Sequence, residues 1–244
     1  MKRIRVGTIS ETFDHVLESE PDRTALVTSS QSLSYRELDA AANAAAAALV
    51  ELGVRPGDRV AASLPNDADI VAAFHGAMRL GAIWVGINRN LVPAEKEDLL
   101  SAAEPVLFIA EAETAATHAP RWRTIAASAG DSDADWSSAV ASGKAERPPT
   151  PDQELPAAIA FTSGTTGTPK GIVHSQRNLL LPGASLVATR MEAQDQDRHD
   201  HDCKQDRCAD PVSGPAMPSP ASAAAALFLD VHALSGALLG QARR

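Results

Sequence analysis

Apolar positions along the first 150 residues alternate between two spacings, and the alternation predicts the elements. Phe13, Val16 and Leu17 stand at i, i+3 and i+4, which brings their side chains to one face of a helix. Thr24 to Val27 and Gln31 to Ser34 are two short extended runs around Ser29-Ser30, the signature of a hairpin. Ser34 and Glu37 have capping-box spacing, and Leu38, Ala41, Ala45, Leu49 and Leu52 continue one helical stripe as far as Gly53, where the helix is expected to stop. After the Pro56-Gly57-Asp58 turn, Arg59 to Leu64 predicts a buried strand, Asp69 to Leu80 a helix halted by Gly81, and Ala82 to Ile87 a further strand. Pro93 opens another helix with Glu95, Glu97 and Asp98 near its positive end, and Val106 to Ile109 is the next strand. Strand and helix in alternation predict an α/β fold with a mixed or parallel sheet flanked by helices. Phe74 and Trp84 read as core, whereas Ser128 to Pro151, rich in Ser, Asp, Gly and Pro, is expected to be a linker or a long surface loop.

Composition narrows the function. A chain of 244 residues, 44% hydrophobic, is long enough to bury a substantial core in one large domain or two small ones. Its net charge of −9 supplies no basic footprint, so nucleic acid is excluded as an expected partner. The basic start, Met1 to Arg5, is not followed by an apolar stretch before Glu11, so no secretory signal is expected. The apolar segment from Ala221 to Gly240 is broken by Asp230 and His232, so no membrane span is expected either, and the expected location is cytoplasmic. The two cysteines, Cys203 and Cys208, give no disulfide framework.

The chemistry concentrates in one segment. Ala157 to Phe161 predicts a short buried strand, and it runs directly into Thr162-Ser163-Gly164-Thr165-Thr166-Gly167-Thr168-Pro169-Lys170-Gly171, followed by a second strand over Ile172 to His174. Glycines at 164, 167 and 171 permit backbone conformations closed to other residues and allow N–H groups to converge on an anion. Five hydroxyl side chains add donors, and Lys170 adds a full positive charge. A triphosphate is the ligand that such a set suits. The spacing is not that of the Walker loop, because Pro169 precedes the lysine and Gly171 follows it.

At this string the sequence resembles the adenylate-forming superfamily of acyl-CoA synthetases, luciferases and peptide-synthetase adenylation domains. The likeness extends back through Leu33-Ser34-Tyr35-Arg36-Glu37-Leu38, Gly57-Asp58-Arg59-Val60-Ala61, Leu64-Pro65-Asn66 and Arg79-Leu80-Gly81-Ala82, and forward through Arg177-Asn178-Leu179. It implies the N-terminal subdomain of the adenylate-forming ligase fold over residues 1–190. It also implies ATP with Mg²⁺, a carboxylic acid activated as its acyl-adenylate, and coenzyme A as thiol acceptor. Thr162, Ser163, Gly164, Thr165, Thr166, Gly167, Thr168 and Lys170 are the implied nucleotide-binding residues, with the glycines equally needed for the turn itself. One departure stands out: Gln176 occupies the position where the family carries a histidine, which puts a pocket contact in question and leaves His174 as a partial substitute.

From Met191 onward the pattern changes. Residues 191–220 form an acidic segment with no apolar period, expected to be disordered, and residues 221–244 carry a helical stripe at Leu227, Val231, Leu234 and Leu238, as from a rearranged or frameshifted end. The family's adenine-pocket segment, ribose-binding aspartate and catalytic lysine are not recognisable, Lys204 being the sole lysine after Lys170. The other reading is therefore a catalytically inactive nucleotide-binding remnant or a pseudogene product, and self-association through exposed apolar surface is expected of the truncated sheet. His199, His201, Cys203 and Cys208 match no standard zinc spacing, so no metal site is expected there. His15, His75, His118 and His232 occur singly and read as structural or solvated, and Trp122 and Trp136 carry no assigned role.

Overall fold

The structure, a computed structural model, describes residues 7–127, 135–142, 146–162 and 170–182. Among them run α1 (Asp14–Ser19), β1 (Thr24–Val27), β2 (Ser32–Ser34), α2 (Tyr35–Glu51), β3 (Arg59–Ser63), α3 (Ala68–Leu80), β4 (Ile83–Gly86), α4 (Pro93–Ala103), β5 (Leu107–Ala110), α5 (Ala112–His118), β6 (Thr124–Ala126), α6 (Trp136–Ser142), β7 (Pro156–Thr162) and β8 (Lys170–Ser175). A helical segment over 176–182 follows. The first two strands pair antiparallel as the predicted hairpin; the others form one sheet in the order β6-β5-β3-β4-β7-β8. Every neighbouring pair in that sheet is parallel except β7 and β8, which run antiparallel.

The chemistry of β3 explains its central place. Val60, Ala61 and Ala62 are all fully buried, as a strand covered on both faces requires. One face packs against α2, α3 and α6 through Leu49, Phe74, Met78 and Trp136. The other packs against α4 and α5 through Val85, Leu100, Phe108 and Ala115. From β3 the chain crosses to β4 on one side and then to β5 on the other. That reversal of direction opens a crevice at the carboxyl ends of β3 and β5, the place where open α/β sheets bind ligands.

Helix ends follow the local chemistry. At α2, Ser34 Oγ accepts from the Glu37 N–H at 3.3 Å while Glu37 Oε2 accepts from the Ser34 N–H at 2.8 Å, closing the predicted capping box. The third helix begins a residue earlier than the sequence predicts, because Asp67 accepts from the Ala68 N–H at 2.8 Å. It ends at Gly81 with φ 76°, a left-handed position that costs glycine nothing. Gly76 lets α2 and α3 touch: a Cβ there would lie 2.7 Å from that of Ala45 and 2.8 Å from the Ala46 nitrogen. Beside this contact Arg79 is 1% exposed and bonded through its two terminal nitrogens to Asn43 Oδ1 and Asp39 Oδ1, both at 2.5 Å, so the buried charge has a partner although its Nε has no acceptor.

Two stretches differ from expectation. Residues 135–142, assigned from composition to a loop, contain α6, whose Trp136 is 0% exposed against α2 and whose Ala139 and Val140 pack beside it. Asp135 caps the helix by accepting from the Ser138 N–H at 2.7 Å, and Ser137 Oγ donates to the Ala127 carbonyl at 2.7 Å. Three apolar residues at i, i+3 and i+4 therefore outweigh the surrounding serines and aspartates. The sequence reading also leaves out α5 and β6; β6 is three residues long and takes its place from pairing with β5. The segments 191–220 and 221–244, with His199, His201, Cys203, Cys208, Lys204 and His232, lie outside the described residues. Among the described residues, no helix is long and apolar enough to cross a membrane, and no group of three or more His, Cys, Asp or Glu could hold a metal ion.

Candidate nucleotide site

The parallel strands end on a common edge, and the candidate loop leaves the sheet there. Thr162 closes β7 and Lys170 opens β8; the two are cross-strand partners, with Thr162 Oγ1 donating to the Lys170 carbonyl at 3.4 Å. The chain thus exits and re-enters the sheet at one point, with the half-buried Thr162 and the exposed Lys170 as its gateposts. Ser163, Gly164, Thr165, Thr166, Gly167, Thr168 and Pro169 lie outside the described residues. Gly171 has a steric reason rather than a dihedral one. A Cβ there would meet Ile159 Cγ2 at 3.0 Å and the Phe161 ring at 3.3 Å, so a larger residue would need these side chains to shift by a few tenths of an ångström.

Neighbouring strand ends bring further charges to the same edge. The register of β4 on β7, Trp84 with Ala158 and Val85 with Ile159, brings the segment after Gly86 to the end of the sheet from which Thr162 leaves. Arg89 follows and pairs with Glu111 at 2.8 Å, while Lys96 Nζ donates to the Arg89 carbonyl at 2.9 Å. Burial holds the Lys96 ammonium below its ordinary pKa, opposed by Glu111 and reinforced by Arg89. The sequence reading singled out none of the three. The available signal was a cation three residues beyond a buried strand that lies next to the loop-bearing one.

Beside β3, β5 and β6 a cavity of about 280 Å³ is lined by Leu64, Pro65, Asp67, Asp69, Glu111 and Ala127, among others. Burial, then Asp67 and Asp135, raise the Asp69 carboxyl above its usual range. Three carboxylates facing one small volume repel a polyphosphate. This cavity therefore disfavours an anion.

Gln176 has a structural role in the described residues. It is 2% exposed; its Oε1 accepts from the Ile9 N–H at 3.0 Å and its Nε2 donates to the Met78 carbonyl at 2.8 Å. The amide staples the end of β8 to the N-terminal segment and to α3, a structural duty that a side chain with one donor and one acceptor can perform. His174 stands in β8 opposite Ala158, half-buried. Its position adds nothing to the Gln176 contacts.

Comparison with known proteins then assigns the fold to a family. The model of the AMP-binding enzymes matches residues 13–209. The chain belongs to the AMP-binding enzyme family. Among relatives of this family, a medium/long-chain-fatty-acid–CoA/3-oxocholest-4-en-26-oate–CoA ligase of Mycobacterium marinum is 31% identical over 201 residues, covering 74% of this chain and 36% of the relative. An anthranilate CoA ligase, AuaEII, solved with anthranoyl-AMP, superposes with a TM-score of 0.66 at 26% identity over 72% of this chain and 36% of that one. The N-terminal subdomain of Klebsiella oxytoca NpsA does so with a TM-score of 0.60 at 26% identity, covering 72% and 44%. The chain therefore spans well under two thirds of the relatives it matches, and what it shares with these adenylate-forming ligases is their N-terminal part.

Proposed function

We propose that this chain grips the β- and γ-phosphates of ATP between Thr162 and Lys170 for the activation of a carboxylic acid. In the first step a carboxylate oxygen attacks the α-phosphorus, the bond to the bridging oxygen of the β-phosphate breaks, and pyrophosphate leaves the acyl-adenylate. In the second step the thiol of coenzyme A loses its proton, its sulfur attacks the acyl carbonyl, and AMP departs. The observation that supports this reading is the pairing of Thr162 with Lys170 at the carboxyl edge of the sheet, which puts an exposed cation at the mouth of a Gly/Thr-rich connection. Charge accumulates on pyrophosphate as it leaves, so a positioned ammonium stabilises the transition state more than the ground state.

The donors at this edge are hydroxyls and a lysine, and no carboxylate cage is present among the described residues. That set suits a magnesium ion held chiefly by the nucleotide's own phosphate oxygens. When bound, the ion would neutralise phosphate charge. The protein's part is to orient the polyphosphate through Ser163, Gly164, Thr165, Thr166, Gly167 and Thr168 together with the two gateposts. The same reading places the activity in the cytoplasm, where ATP and coenzyme A occur together.

The test is exchange of labelled pyrophosphate into ATP across a panel of carboxylic acids, with ATP binding measured in parallel. Acid-dependent exchange supports adenylation by this chain. ATP binding without exchange favours the nucleotide-binding remnant, and failure to bind ATP overturns the phosphate-grip assignment itself.

A further inference from the structure

The hairpin that carries Thr162 and Lys170 is closely paired within itself and lightly tied to the rest of the sheet. Its two strands share six register pairs, from Pro156 with Ser175 to Thr162 with Lys170. β7 meets β4 at two, Trp84 with Ala158 and Val85 with Ile159, whereas β3 meets β4 and β5 at four each. Among the described residues β8 is the last strand on its side of the sheet. Ala157, Ala158 and Leu179 join the core, but two of these offer a methyl group each, and apolar contact is non-directional. Directional bonds come from Gln176 at the open end of the hairpin, where the buried amide accepts from the Ile9 N–H and donates to the Met78 carbonyl. Met78 stands in the last turn of α3, and from there the chain passes through Gly81 straight into β4. The amide therefore fixes the hairpin relative to the strand on which β7 is paired. The N-terminal segment on which it rests is itself held, by Ser10 Oγ on the Met78 carbonyl at 3.2 Å and by Arg147 on Asp14 and the Ser10 carbonyl.

We propose that Gln176 is a positioning residue for the nucleotide site: by pinning the open end of the hairpin it sets where Thr162 and Lys170 emerge at the other end. This role rests on the phosphate-grip reading above. β8 is six residues long, so its two ends lie about 20 Å apart and Gln176 acts through the strand and not by touching the ligand. Sliding the hairpin by one residue along β4 carries the Lys170 ammonium about 3.3 Å, out of hydrogen-bond reach of a phosphate already placed. A misplacement of about 1 Å is enough to lose most of the benefit of alignment. A carboxamide suits the task, since it carries both a donor and an acceptor and brings no charge to be buried.

The test measures ATP affinity by calorimetry and amide hydrogen exchange in β3, β7 and β8, using the full chain and three variants. Gln176→Leu keeps the bulk and removes both hydrogen bonds; it should weaken ATP binding about tenfold and speed exchange in β7 and β8 more than in β3. Gln176→His at pH 8, where a neutral imidazole again offers one donor and one acceptor, should return the affinity to within about twofold of the parent. Ser34→Ala destabilises the fold at the α2 cap, away from the hairpin, and should leave ATP affinity at the parental value. In the parent alone, ATP should slow exchange of the Ile9 amide about threefold, because coupling between two sites is reciprocal. Parental affinity in Gln176→Leu, an equal loss in Ser34→Ala, or no recovery in Gln176→His overturns the proposal. An Ile9 amide indifferent to ATP overturns it even where Gln176→Leu does not fold. A parent that binds no ATP overturns the phosphate-grip reading, and this role with it.

Discussion

His75 is expected to make this fold sensitive to acid below about pH 6.5. It lies in α3, 5% exposed, with its ring 4.4 Å from Phe13 and 5.4 Å from Phe74. Burial first, and the Arg79 guanidinium second, lower its pKa from 6.5 to about 3. The unfolded chain takes up a proton at His75 below about pH 6.5, whereas the folded chain refuses it until about pH 3. Stability from this group is thus complete above pH 6.5 and is lost as pH falls through the interval. Each pH unit removes about 1.4 kcal/mol, or about 2 kcal/mol between pH 6.5 and 5. Glu37 and Asp67 act in the same direction, their pKa values held down chiefly by the N–H groups of Ser34 and Ala68, but only below their ordinary values of 4.5 and 3.8. The assay is urea unfolding at closely spaced pH, comparing the parent with His75→Gln. Whatever the variant costs at pH 7.5, its stability should fall less steeply between pH 6.5 and 5, by about 2 kcal/mol. Parallel profiles for the two proteins, or a His75 ring that titrates near 6.5 in an NMR pH series, would refute the reasoning.

Three further changes are each expected to have a defined effect. Gln176→Ala removes the acceptor for the buried Ile9 N–H, while the Met78 carbonyl keeps Ser10 Oγ at 3.2 Å; urea denaturation should show a loss of about 1–3 kcal/mol. Gly76→Ala drives a methyl into the Ala45 and Ala46 backbone, and thermal melting should report a loss of about 1–3 kcal/mol as α2 and α3 are forced apart. Lys170→Ala, at an exposed strand end, should weaken ATP binding in calorimetry by about tenfold or more and leave the melting temperature unchanged.

The parts of the fold that are legible in the sequence are those whose cause is local. The second helix announces itself through Ser34, Glu37 and a stripe ending at Gly53, all within one stretch of chain. The buried strands β3, β4 and β5 announce themselves as apolar runs between turns. By contrast, α6 has a single large apolar residue, Trp136, and its burial depends on α2, distant in sequence. The role of Gln176 is hidden for the same reason: its partners Ile9 and Met78 lie 167 and 98 residues away, and no local pattern identifies them. At the candidate site, a strand-turn-strand reading was enough to bring Thr162 beside Lys170. The arrival of Arg89, Lys96 and Glu111 at the same edge depends on strand order, which periodicity does not specify.

The reversal of β8 against β7 sets how the strands on either side of the candidate loop come together. The parallel neighbours in this sheet must wait for a crossover, and β5 must find β3 across an intervening strand and two helices. The segment from Pro156 to Ser175 needs only itself to bring its two arms together, and antiparallel arms of this kind zip within microseconds. The candidate loop therefore hangs from a self-pairing unit, which β7 then joins to the sheet through β4 and Gln176 ties to Ile9 and Met78.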